Sequence, residues 1–133
     1  MELKLGFSTG CLHKRLDTAE ALKNIRHAGS DHVELGFVKG LDNEWLSKVT
    51  PTDLDRFKYV SLHAPKFGYD NNEESLDILK KIKHFNDHIR NLNLVVFHPD
   101  PIKNFDILNE AGIPVGIENM DNRKPSFKKP RKL

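Results

Sequence analysis

Three short apolar segments of this 133-residue chain each end on a side chain that can bind a metal ion. The three side chains are His63, His98 and Glu118, and a proline or asparagine that stops the strand follows each within two residues. Because the carboxyl ends of parallel strands lie at one edge of a sheet or barrel, we expect these side chains to meet there. Imidazole and carboxylate groups suit a divalent transition metal, zinc first, with manganese or magnesium as alternatives. A single histidine of this kind is more often bonded to a backbone carbonyl, and it is the repetition that favours a metal centre.

Other polar residues near the strand ends are candidates for catalysis and substrate binding. Glu118 closes an apolar strand and needs a cation or donors, since an unpartnered buried carboxylate is costly. Glu34 lies inside the apolar strand segment 33–35 and can act as a general base or hold a histidine, or simply bond to a neighbouring barrel residue. Asn119 and Arg123 can receive a sugar hydroxyl or a phosphate, and an ordinary polar loop is an equal alternative.

The elements that must position these residues alternate between strand and helix. Strand patterns cover residues 4–8 and 32–36 and end at residues 63, 98 and 118, while helical patterns cover residues 17–28, parts of 42–57, 73–92 and 104–111. This alternation predicts a partial (β/α) TIM barrel of five parallel strands, in the order 1-2-3-4-5, with four helical crossovers. A doubly wound sheet is the alternative, but the first strand is not followed by a glycine-rich phosphate fingerprint.

Length and composition indicate one globular domain. The chain has 38% hydrophobic and 30% charged residues and lacks an apolar stretch of the ~20 residues that span a bilayer, so no membrane association is expected. The lone cysteine, Cys11, excludes an intrachain disulfide framework and favours a cytoplasmic location. We expect residues 1–124 to form the barrel segment and residues 125–133 to form a basic, disordered tail. Six basic and no acidic residues lie between 123 and 133, so contact with nucleic acid by charge alone remains open.

The order of the strand-end motifs resembles that of a known superfamily. Gly-Phe-Ser-Thr-Gly at 6–10, Val-Glu-Leu-Gly-Phe at 33–37, His-Ala-Pro at 63–65, His-Pro at 98–99 and Glu-Asn at 118–119 are similar to the first five strand ends of the xylose-isomerase-like TIM barrels. That superfamily includes sugar and sugar-phosphate isomerases and epimerases, and endonuclease IV, which cuts DNA at abasic sites. The resemblance implies that His63, His98 and Glu118 occupy metal positions on the third, fourth and fifth strands. In the endonuclease-IV-like members the glutamate bridges two metals, and strands six to eight carry the remaining ligands.

The resemblance implies three candidate functions. The first is a truncated member of a divalent-metal-dependent sugar or sugar-phosphate isomerase or epimerase family, expected to be inactive alone, with a small sugar or sugar phosphate as substrate. The second is an endonuclease-IV-like phosphodiesterase acting on abasic DNA, although the residues after His63 and Glu118 differ from those usual in the DNA enzymes. The third is a non-catalytic half-barrel that forms a homo-oligomer through its open sheet edges.

Overall fold

The computed structural model describes residues 5–9, 18–36 and 49–119, and these form a five-stranded parallel sheet with helices between the strands. The strands are β1 (Gly6–Ser8), β2 (His32–Gly36), β3 (Tyr59–His63), β4 (Leu92–Phe97) and β5 (Val115–Ile117). The helices are α1 (Thr18–His27), α2 (Pro51–Leu54), α3 (Glu73–His88) and α4 (Asp106–Glu110). The predicted fold class is confirmed, since every connection between neighbouring strands contains a helix.

The strand order is β1-β2-β3-β4-β5, and every neighbouring pair is parallel. Each new strand is therefore added next to the preceding strand and on the same side of the sheet, as in a segment of a (β/α) barrel. A doubly wound sheet reverses direction at an internal switch point, and this sheet has none. The predicted order is confirmed.

The two faces of the sheet differ in what they bury. On one face, Leu35, Leu62 and Val95 lie side by side in register and are fully buried. They belong to the hydrophobic core together with side chains of the helices, among them Leu22, Ile25, Ile82, Phe85 and Leu108. The opposite face presents Glu34 beside Ser61, and then Gly36, His63, Val96 and Gly116 in the next row. The helix-covered face thus holds the core, and the other face leads to the strand ends that carry the candidate ligands.

Local signals explain where the helices begin and end. Thr50 caps α2 through a capping box with Asp53, and Gly29 ends α1 with a positive φ of 86°. The predicted helix over 73–92 is shorter than expected, because it ends at His88 and Leu92 already begins β4. Ile89 and Leu92 are buried all the same. The apolar pattern of the sequence therefore continues beyond the end of the helix, because Ile89 after the helix and Leu92 in β4 are also buried.

Several predictions fall outside the described ranges. These are the first residue of the helical pattern over 17–28, the part of the pattern over 42–57 that precedes residue 49, the role of Arg123, and the disordered tail over 125–133. Among the helices that the structure does describe, none combines the length and the apolar character needed to cross a bilayer.

Candidate metal centre

The sheet register brings His63, His98 and Glu118, hereafter the triad, to one place. His63 is the last residue of β3, while His98 and Glu118 directly follow β4 and β5. The ladder continues past the strand ends, because Ala64 N–H donates to the Val96 carbonyl at 2.8 Å and Glu118 N–H donates to the Phe97 carbonyl at 3.0 Å. Backbone hydrogen bonds between neighbouring strands are therefore formed at Glu118 and directly beside His63 and His98.

The triad has the dimensions of a metal coordination sphere. Oε2 of Glu118 lies 3.1 Å from Nε2 of His63 and 3.1 Å from Nδ1 of His98, and the two ring centroids are 4.7 Å apart. The three candidate ligand atoms all lie within 4.8 Å of one another. Tetrahedral zinc with ligands at about 2.1 Å places neighbouring ligand atoms about 3.4 Å apart. The structure thus brings together the three residues predicted as ligands, in a group that can hold a metal ion.

Both histidines of the triad approach the same carboxylate oxygen, and one of these contacts is a hydrogen bond. Nε2 of His63 is hydrogen-bonded to Oε2 of Glu118 at 3.1 Å, and Nδ1 of the same ring lies 3.2 Å from the Ala64 carbonyl. Both ring nitrogens of His63 therefore face oxygen atoms that accept, and the neutral ring can donate to only one of them. Nδ1 of His98 is buried and has no hydrogen-bond partner among the described residues, because its 3.1 Å contact with Oε2 of Glu118 lacks the direction of a hydrogen bond. Two imidazole nitrogens and one carboxylate oxygen therefore converge on one point, which a proton or a metal ion can occupy.

Electrostatics favour the metal-binding form of His98. Burial is the main cause that lowers the pKa of His98, and the Glu118 carboxylate works in the opposite direction. His63 and Lys66 lower this pKa further, while Asp100 raises it. A lower pKa keeps the imidazole neutral and its lone pair available at neutral pH. The triad side chains remain 18% to 28% exposed, so an ion can enter from solvent.

The loops that follow β3 and β4, residues 64–72 and 98–105, are joined to each other and are hereafter the edge loops. Tyr69 is buried, and its hydroxyl donates to the Pro65 carbonyl at 3.0 Å. The Tyr69 ring packs edge-on against the Phe97 ring, with 5.2 Å between the ring centroids. The Tyr69 carbonyl accepts the N–H groups of Lys103 at 2.9 Å and Asn104 at 3.0 Å. Sequence reasoning missed this role, and the only available signal was an aromatic residue inside a polar loop.

The contacts of the described residues do not assign a role to the other predicted site residues. Glu34 lies on the same sheet face as His63, but no hydrogen bond joins it to either triad histidine among the described residues. Asn119 is exposed next to Glu118, and Arg123 lies outside the described ranges. The histidine pair His84 and His88 is exposed on α3. The roles assigned to Glu34, Asn119 and Arg123 remain predictions.

No protein-family model, curated protein or solved structure matches this chain. The similarity to the xylose-isomerase-like barrels therefore rests on the strand-end motifs of the sequence alone.

Proposed function

We propose that this protein binds one divalent transition metal ion, zinc first, through the triad, and that the centre serves an isomerase- or epimerase-type reaction on a sugar or sugar phosphate. The observation that carries the proposal is the approach of two imidazole nitrogens to one oxygen of Glu118, each at 3.1 Å. A metal ion satisfies all three atoms at once. Three protein ligands also leave room for water or substrate, which is typical of catalytic rather than structural zinc sites.

The chemistry assigned to the residues follows from their placement. His63, His98 and Glu118 would hold the divalent ion, which would supply Lewis-acid polarisation of a carbonyl or hydroxyl of the substrate. With a metal ion bound at Nε2 of His63, Nδ1 would carry the proton and donate to the Ala64 carbonyl, which would hold the ring in place. Glu34 occupies the preceding row of the same sheet face, and we assign it the transfer of a substrate proton.

Metal analysis of paired double variants tests the proposal. We expect purified wild-type protein to bind one equivalent of zinc and His63→Ala/His98→Ala to bind none at the same concentration. The matched control is His84→Ala/His88→Ala, which removes two exposed histidines whose rings are 4.2 Å apart and which lie on α3. Equal zinc content in all three proteins would overturn the proposal. Loss in the control alone would place the metal on α3 and would overturn it as well.

Assays then separate the reaction classes. Zinc-loaded protein is tested for isomerisation or epimerisation of sugar phosphates and, in parallel, for cleavage of abasic DNA, with Glu34→Gln as the variant that keeps the metal ligands. Selective cleavage of DNA would replace the isomerase assignment by a phosphodiesterase one.

A second candidate function is self-assembly, and one observation favours it. Leu5 and Phe7, at the β1 edge of the sheet, are 66% and 50% exposed, and Ile117 on β5 is 48% exposed. Outer parallel strands with exposed apolar side chains can pair with those of another copy. In this candidate the triad is a structural metal site and the chain acts through its oligomer.

A further inference from the structure

We propose that Lys66 is the anion-binding residue of the triad site and that the site takes a phosphorylated sugar, bound through its phosphate dianion, rather than a neutral sugar. This inference rests on the proposed function, because it assigns the substrate class of the same metal site.

Lys66 lies where the two edge loops meet. It follows His63 by three residues, and its ammonium contacts the Asp100 carboxylate at 2.8 Å. Asp100 in turn follows His98 by two residues. The ion pair therefore joins the loops that begin at the two triad histidines, so that a cation lies at the same edge of the sheet as the triad.

The exposure of the two partners decides which charge a ligand meets. The Lys66 side chain is 51% exposed, whereas that of Asp100 is 17% exposed. A ligand from solvent therefore has more access to the ammonium of Lys66 than to the carboxylate of Asp100. A zinc ion with one carboxylate ligand keeps one positive charge, so metal and ammonium together favour an anion.

The backbone around Lys66 is fixed before any ligand binds. The neighbouring Pro65 carbonyl accepts the Tyr69 hydroxyl, and a side chain added at Gly68 would lie 3.5 Å from the Pro101 carbonyl, so the loops are in close contact there. A cation on a fixed loop loses less conformational freedom when it binds a phosphate. The long lysine stem can turn from Asp100 toward a phosphate without movement of the loop.

Titration of the zinc-loaded protein with inorganic phosphate, after removal of unbound zinc, tests the proposal. We expect Lys66→Gln to weaken phosphate binding about tenfold, the loss typical of a partly exposed charged hydrogen bond, with zinc content unchanged. Asp100→Asn should strengthen phosphate binding, because it releases Lys66. The matched control is Lys58→Gln, which removes a lysine paired with Asp31 at 3.0 Å at the opposite end of β3. It should leave phosphate binding unchanged.

The outcomes separate this inference from the proposed function. Absence of zinc from wild-type protein would contradict the metal proposal itself, before any phosphate is added. One zinc per chain in every variant, with equal phosphate affinity in wild type and Lys66→Gln, would overturn only the role of Lys66. Weaker binding by Asp100→Asn, or tighter binding of dimethyl phosphate than of inorganic phosphate, would also contradict it, since a diester lacks the second charge.

Discussion

At the scale of single residues, one carboxylate oxygen governs the candidate centre. Both imidazoles approach Oε2 of Glu118, and this side chain is only 28% exposed. Partial burial weakens screening by water, so the charge of this oxygen acts strongly on whatever lies between the rings. Without Glu118, the two imidazole rings would face each other with no negative charge between them. For the binding of a cation, the charge of Glu118 therefore matters more than the shape of its side chain.

Replacement of Glu118 by glutamine tests this dependence on charge. Glutamine keeps the size of the side chain but removes the negative charge and one metal-binding oxygen. We expect zinc affinity to fall by more than about 100-fold, since even residues that only orient metal ligands contribute about 10- to 100-fold. Competition with a chromophoric chelator measures the loss. Glu110→Gln, an exposed carboxylate on α4, is the control, and similar affinities for the two variants would contradict a role of Glu118 as ligand.

Tyr69→Phe separates the hydroxyl of a buried tyrosine from its ring. At neutral pH we expect the variant to lose about 1 kcal/mol in free energy of unfolding, because the hydrogen bond to the Pro65 carbonyl is removed. Burial raises the pKa of Tyr69 well above its ordinary value. The folded state therefore keeps the proton while the unfolded state releases it above about pH 10.

This linkage sets the sign of the pH dependence. The stability that the raised pKa of Tyr69 contributes is complete below about pH 10 and is lost as pH rises above it. Above that pH, wild type should lose up to about 1.4 kcal/mol per pH unit more than Tyr69→Phe. Urea unfolding at neutral and alkaline pH measures the difference. Tyr59→Phe, at the exposed start of β3, is the control, and parallel pH profiles for wild type and Tyr69→Phe would refute the assignment.

At the scale of elements, the pairing of β3 with β4 determines how the two histidines face each other. The register shifts between Val60 and Ser61, so that β4 has one additional residue there. Asn93 lies at the shift, and its side-chain oxygen accepts the N–H of Val60 at 3.2 Å. Its side chain thus satisfies a donor that the irregular ladder would otherwise leave unpaired.

Asn93→Ala tests the importance of this irregularity. Val60 is fully buried, so loss of the acceptor should lower the free energy of unfolding by about 1–2 kcal/mol. Urea denaturation measures it, with Asn109→Ala, an exposed position on α4, as the control. Equal stability of the two variants would indicate that the Val60 amide finds another partner.

At the scale of the whole molecule, the sheet ends in two outer strands with exposed apolar side chains. We expect sedimentation to show association that rises with protein concentration, and Leu5→Lys/Phe7→Lys to reduce it, because charged side chains on an edge strand disfavour pairing. Zinc content should not change, since Phe7 lies on β1 and Leu5 directly precedes this strand, away from the strand ends that carry the triad. A wild-type protein that is monomeric at all concentrations would contradict the self-assembly candidate.

Much of the architecture was predictable because its determinants are local. Alternating strand and helix patterns defined the parallel sheet, and prolines and an asparagine marked the strand ends at His63, His98 and Glu118. Helix boundaries are local too, since Thr50 begins α2 through side-chain hydrogen bonds to Asp53 and Gly29 follows α1 with a positive φ. The end of α3 was misplaced, because buried residues of the helix, its end and the next strand form one continuous apolar pattern.

Only the tertiary structure decided how the site is arranged in space. From the sequence, the strand ends predict that the backbones of the triad residues are neighbours. That Oε2 of Glu118 contacts both histidines depends on side-chain rotamers, which are set by packing. The link from Tyr69 to Phe97 and Lys103, and the ion pair of Lys66 with Asp100, join residues more than 25 positions apart. Such contacts leave no periodic trace in the sequence, because they form only when the folded sheet brings two loops to the same edge. The sequence alone determined which residues can bind a metal, and the fold determined their geometry and their neighbours.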